Sequence, residues 1–137
     1  MSISFTDKLA ARIEKTGSAL CVGLDPRPVM DDLQAVPVLL RKVVEETAPY
    51  AAAFKPNIAY FEAMGLRGLE MLEELLPDMP DDVPVVLDVK RGDIGSTAAA
   101  YAHHLNGVGD FDPWHEDAVT VNPYLGTDGI TPFVEAA

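Results

Sequence analysis

Hydrophobic positions along the chain fall into short apolar runs separated by stretches with helical spacing. Phe5, Leu9 and Ile13 recur every four residues, which predicts one stripe of a helix from Phe5 to Lys15, ending at Gly17. Ala19 to Leu24 is a continuous apolar run closed by Gly23-Leu24-Asp25-Pro26, as expected of a strand buried on both faces and followed by a turn. Cys21 lies inside that run and reads as a packed core residue. Pro37 suits the first turn of a second helix, with a face of Val36, Leu39, Leu40, Val43, Val44 and Thr47 that Pro49 terminates.

A second apolar run, Ala51 to Phe54, precedes Lys55-Pro56-Asn57. From Tyr60 to Leu76 the residues Phe61, Met64, Leu69, Leu72, Leu75 and Leu76 predict one long amphipathic helix, with Glu62, Glu70, Glu73 and Glu74 on its wet face. An acidic, proline-rich linker, Pro77 to Pro84, leads into Val85-Val86-Leu87-Asp88-Val89-Lys90, the clearest strand by β-branched content. Gly92 and Gly95 follow, Ser96-Thr97 is expected to cap a helix through Leu105, and Ala118 to Val121 is a fourth run ending at Asn122-Pro123. A last helical pattern begins at Ile130 and continues to Ala137.

Four strands, each followed by helical sequence, predict an α/β fold with a parallel sheet and helices outside it. The polar residues gather at the strands' C-terminal ends, at Asp25, Lys55 to Asn57, Asp88 to Asp93, and Asn122. Barrels and open α/β sheets both place their sites there. Periodicity leaves a closed barrel and an open doubly wound sheet as alternatives, and no glycine fingerprint follows the first strand to favour a dinucleotide fold. A complete eight-fold barrel takes roughly 250 residues. The 137 residues would supply about half of one, and their end within a helical pattern fits a truncated barrel.

Charge narrows the partners. Ten basic against 22 acidic residues give a net charge of −12, which opposes binding to nucleic acid, so an anionic substrate must be met by a local positive site. One cysteine forbids an intrachain disulfide and suits a reducing compartment. No basic patch followed by an apolar block opens the chain, and no apolar stretch approaches the roughly 20 residues of a membrane span, so a cytoplasmic protein is expected.

Side chains two apart on a strand share a face, so Asp88 and Lys90 should point one way and Leu87 and Val89 the other. Burying an acid beside an amine is costly unless the two pair or perform chemistry. An ion pair at the mouth of the sheet and a catalytic pair both remain open on this spacing. Asp93 follows three residues later and Lys55 ends another strand. A network of Lys55, Asp88, Lys90 and Asp93 would favour charged ammonium groups, which suits a proton donor more than a Schiff-base nucleophile.

Asp88-Val89-Lys90-Arg91-Gly92-Asp93-Ile94-Gly95-Ser96-Thr97 resembles the signature of the orotidine 5′-phosphate decarboxylases. Val22-Gly23-Leu24-Asp25 resembles that family's first strand and Phe54-Lys55-Pro56-Asn57 its second. Val119 to Gly126 resembles its fourth, in the longer bacterial subgroup, so the likeness spans essentially the whole chain. It implies a TIM (β/α)8 barrel of which residues 1–137 are the N-terminal half, about the first four β/α units of a single domain. The implied activity is conversion of orotidine 5′-phosphate to UMP, with no metal or organic cofactor.

Carried across residue by residue, the resemblance makes Lys90 the proton donor to C6 and sets Asp88 beside the substrate carboxylate. Lys55 would bridge the ribose and the acids, and Asp25 would bind ribose hydroxyls. Asp93 and Thr97 would reach the neighbouring subunit's site in a homodimer. Asn57 and Asn122 are further substrate-binding candidates, although Asn beside Pro often just makes a turn. The family's phosphate-holding Arg and Gln, and its serine region at the pyrimidine, have no counterpart here.

Other readings compete. A magnesium-dependent sugar-phosphate decarboxylase or aldolase on the same barrel shares Asp88, Lys90 and Asp93, but an acid is expected where Lys55 stands, and lysine cannot ligate Mg²⁺ as a carboxylate does. An inactive half-barrel that persists only by associating with itself or with a missing second half, its first and fourth strands being exposed edges, is the non-catalytic alternative. Adjacent His103 and His104 face different directions and read as solvated or packing residues, and His115, near Trp114, as part of a surface loop. Arg91 should face away from Lys90 in a structural pairing role.

Overall fold

A computed structural model describes residues 3–27, 33–103 and 116–137. Their order is α1 (Phe5–Thr16), β1 (Leu20–Leu24), α2 (Ala35–Thr47), β2 (Ala51–Pro56), α3 (Ile58–Glu62), α4 (Leu66–Leu75), β3 (Val86–Arg91), α5 (Gly95–Ala102), β4 (Ala118–Val121) and α6 (Thr127–Ala136). β1 pairs with β2 and β3 with β4, both parallel. Parallel bridges from Phe54 to Val85 and from Asn57 to Asp88 join the two pairs. Spatial order therefore follows chain order, with helical crossovers between neighbours, as in part of a (β/α)8 barrel. Among the described residues the sheet does not close on itself, and no helix is long and apolar enough to cross a membrane.

The core lies between the sheet and its helices. Val36, Leu40 and Val44 from α2, Met71, Leu72 and Leu75 from α4, and Phe61 pack against Leu24, Phe54, Val85, Leu87 and Val89. β2 is buried along its apolar length, as a central parallel strand should be. A smaller cluster of Ala98, Ala102 and Phe133 joins α5 to α6.

Several details depart from the sequence pattern. The helix expected from Tyr60 to Leu76 is two helices, because Gly65 takes φ 67° and turns the chain between α3 and α4. Apolar periodicity survives that turn because both segments lay their apolar side on the same sheet. β1 is not buried on both faces. Of its five residues only Leu24 is buried, and Cys21 is exposed rather than packed. Strand alternation puts Cys21 on the face of Gly23, whose register partner is Lys55, and no described helix covers that face. α5 starts at Gly95, so Ser96 and Thr97 lie in its first turn and Ile94 precedes it without a side-chain cap. α6 starts at Thr127, three residues ahead of Ile130. His103 follows the end of α5 and is exposed, whereas His104, Leu105, Trp114 and His115 lie outside the described residues.

α1 is anchored by its cations more than by the expected stripe. Ile13 is exposed while Arg12 is buried. The Arg12 guanidinium donates to the carbonyls of Ala51 (2.9 Å) and Ala48 and to Asp82 (2.6 Å). Lys15 shares Asp82, and Lys8 donates at 2.8 Å to both oxygens of Asp117, of which Oδ2 also accepts the Val85 N–H. The helix thus bridges the start of β2 and the approach to β4, at the end of the sheet opposite the clustered polar residues.

Candidate active site

Strand β3 carries the candidate residues Asp88 and Lys90, and its pairing with β4 is irregular. Val86 and Leu87 face Ala118 and Val119, and register resumes at Arg91 with Val121. Asp88, Val89 and Lys90 therefore stand opposite Thr120 alone. Lys90 takes φ 49°, the one positive value at a non-glycine among the described residues. Such a backbone costs an L-residue about 1–2 kcal/mol and holds only where its surroundings enforce it. The enforcing contact is local, because the Lys90 N–H donates to the Thr120 hydroxyl at 3.0 Å. A bulge of this kind re-aims side chains at a strand's end. The Asp88–Lys90 pairing expected from alternation is present, at 2.6 Å between Nζ and Oδ1, but it is reached through this bulge.

Asp88 is the hub. Its side chain is 9 % accessible and receives Lys90 on Oδ1, Lys55 on Oδ2 at 3.0 Å, and the Thr120 hydroxyl on Oδ1 at 2.8 Å. Burial alone would push its carboxyl upward. The hydrogen bonds from Lys90, Thr120 and Lys55 outweigh burial and bring it down to about 2. Lys55 loses some hydration, yet the Asp88 hydrogen bond, the charge of Asp88 and the nearby Asp25 raise it above the ordinary lysine value. Two lysines thus converge on one buried carboxylate in a chain of net charge −12.

A pH dependence follows. The folded-state value of Asp88 lies below that of an unfolded carboxyl, so its contribution to stability is complete above about pH 4 and is lost as pH falls through about 2. The difference is worth at most about 2 kcal/mol. Urea midpoints measured from pH 5 to pH 2 should therefore fall more steeply for the native chain than for Asp88→Asn. Parallel slopes would show that Asp88 is not held ionised by its neighbours.

The other sequence candidates are placed less tightly. Asp25 is exposed at the end of β1, close enough to Lys55 to raise its affinity for a proton. Asp93 makes no ion pair among the described residues, so the four-membered network is a trio within one chain; its Oδ1 accepts the Ile94 N–H at 2.7 Å. The Asn57 and Asn122 side chains each accept a backbone N–H, from Ala59 and Tyr124, and open the short helical turns after β2 and β4. Thr97 is half-buried in α5. Arg91 has the expected pairing role, 3.0 Å from Glu62 and 5.0 Å over the Tyr101 ring. Thr120 is the residue that sequence reasoning passed over, since a threonine within a β-branched run looks like strand propensity.

Comparison with known proteins agrees with this geometry. The profile described as "Orotidine 5'-phosphate decarboxylase / HUMPS family" matches residues 18–137. An orotidine 5'-phosphate decarboxylase of Deinococcus radiodurans is 45 % identical over 141 residues, covering 100 % of this chain and 50 % of that protein. One from a Roseiflexus species is 42 % identical over 138 residues, covering 96 % and 48 %. The solved OMP decarboxylase of Leishmania donovani superposes with a TM-score of 0.83 at 42 % identity, covering 97 % of this chain and 50 % of that one. The chain thus spans about half the length of these relatives. With the profile matching from just before β1 through α6, the chain belongs to the orotidine 5'-phosphate decarboxylase / HUMPS family.

Proposed function

We propose that residues 1–137 are the N-terminal half of a single barrel domain that decarboxylates orotidine 5′-phosphate to UMP. The observation that carries this reading is the Lys55–Asp88–Lys90 array at the strands' C-terminal ends. In the proposed reaction the bond from C6 to the carboxylate breaks, CO₂ leaves, and the electron pair stays on C6. Lys90 delivers its proton there and is later reprotonated from solvent. Asp88, already ionised, stands beside the substrate carboxylate. Its fixed charge either disfavours that group in the ground state or organises the site for the carbanion.

Lys55 would reach the ribose while holding Asp88 from the other side, and Asp25 would take ribose hydroxyls. Asn57 and Asn122, with side-chain carbonyls engaged in capping, would offer their amide N–H groups. Asp93 and Thr97 would act across the interface of a cytoplasmic homodimer, and the lack of an ion pair for Asp93 among the described residues supports that assignment. The reading requires phosphate-binding groups that these 137 residues do not supply.

Lys55 also separates this proposal from the magnesium-dependent sugar-phosphate enzymes. Its ammonium, 3.0 Å from Asp88, occupies the position where those need a metal-binding acid. The test is the fall in orotidine monophosphate absorbance with the protein whose reading frame contains this chain, with and without EDTA. Unchanged turnover in EDTA is expected. Abolition by the chelator, or turnover of a sugar phosphate alone, would transfer the assignment to the metal-dependent class.

A further inference from the structure

Thr120 makes a pair of contacts that reach across from β4 to β3, to partners 30 and 32 residues away in the chain. It donates to Asp88 Oδ1 at 2.8 Å and accepts the Lys90 N–H at 3.0 Å. Both partners belong to the bulged segment that faces Thr120 alone. The two contacts use the hydroxyl's complementary capacities, one as donor and one as acceptor, so each fixes the direction of the other. From the acceptor side the hydroxyl takes the Lys90 N–H where the β3–β4 register breaks, and so holds Lys90 at φ 49°. From the donor side it orients the carboxylate that receives the Lys90 ammonium.

We propose that Thr120 is a positioning residue: one hydroxyl on β4 sets both the backbone from which Lys90 springs and the orientation of the carboxylate that receives its ammonium. Without it the lysine would keep its charge but lose its aim. A displacement of about 1 Å in a reacting group can cost about 100-fold in rate.

Thr120→Val keeps the β-branched shape and removes both hydrogen bonds, and Thr120→Ser keeps the hydroxyl and drops a methyl. Resting on the decarboxylase reading, the proposal predicts a fall in kcat of about 10- to 100-fold for the valine variant with KM nearly unchanged, and a return to within a few-fold for serine. A residue that merely filled space would show the reverse order. Because the decarboxylase reading could fail separately, the second readout needs no substrate. The Asp88 carboxyl, followed by carbon-13 NMR, should titrate at higher pH in Thr120→Val than in the native or serine protein, since one of its three hydrogen bonds is gone.

If the native protein is inert towards orotidine monophosphate, the decarboxylase reading falls and the Asp88 titration still decides the role of Thr120. An unshifted titration would overturn the proposal, as would a valine variant with native kcat. If Thr120→Val does not fold, Thr120→Ala carries the same two predictions.

Discussion

On the decarboxylase reading proposed above, replacing Lys90 with alanine is expected to lower turnover of orotidine monophosphate by about two to four orders of magnitude, the usual contribution of a positioned proton donor. The Lys90 side chain is 64 % accessible and its removal opens no core cavity, so the loss should be chemical. Asp88 would keep Lys55 and Thr120, and the fold should be nearly as stable as before. The decisive comparison is absorbance-monitored turnover against urea midpoints for the same variant. Native turnover would remove Lys90 from the mechanism, and a collapse of both quantities would make it a structural lysine.

Arg12→Met is expected to produce the largest loss of stability, roughly 2–5 kcal/mol. Methionine matches the arginine stem in bulk but leaves the Ala51 and Ala48 carbonyls without their donor. Each unsatisfied buried carbonyl costs about 1–3 kcal/mol, and a domain has only about 5–15 kcal/mol in hand. Lys15 also pairs with Asp82 but is 67 % exposed, so Lys15→Met should cost less than about 1 kcal/mol. Chemical denaturation of the two variants side by side checks the contrast. Equal, small effects would mean that water replaces the guanidinium at those carbonyls.

The contrast between these arginine and lysine roles marks where sequence reasoning stopped. The alternation of strand and helix, the parallel order and the charged segment at the end of β3 were legible because each is a local pattern. The break at Gly65 was not, because both flanking segments keep the same apolar side and periodicity registers the side rather than the turn. Burial of Arg12 was hidden because it depends on carbonyls 36 and 39 residues away. Cys21 misled because an apolar run shows that a strand exists but not whether both faces are covered. In the site, the meeting of Lys55, Asp88 and Lys90 was foreseen and the bulge behind it was not, since register against another strand has no signature in a single strand.

Spatial order that follows chain order has a further consequence for how the site comes together. Every described strand contact joins consecutive β/α units, so each addition closes a loop of similar, modest length onto an edge already present. A chain leaving the ribosome N-terminus first therefore acquires Lys55 with β2, then Asp88 and Lys90 with β3, while the bulge still lacks its partner. Thr120 arrives last of the four. On the role proposed for Thr120, Lys90 takes its aim only at the moment β4 docks, so that docking step separates an assembled sheet from an assembled site.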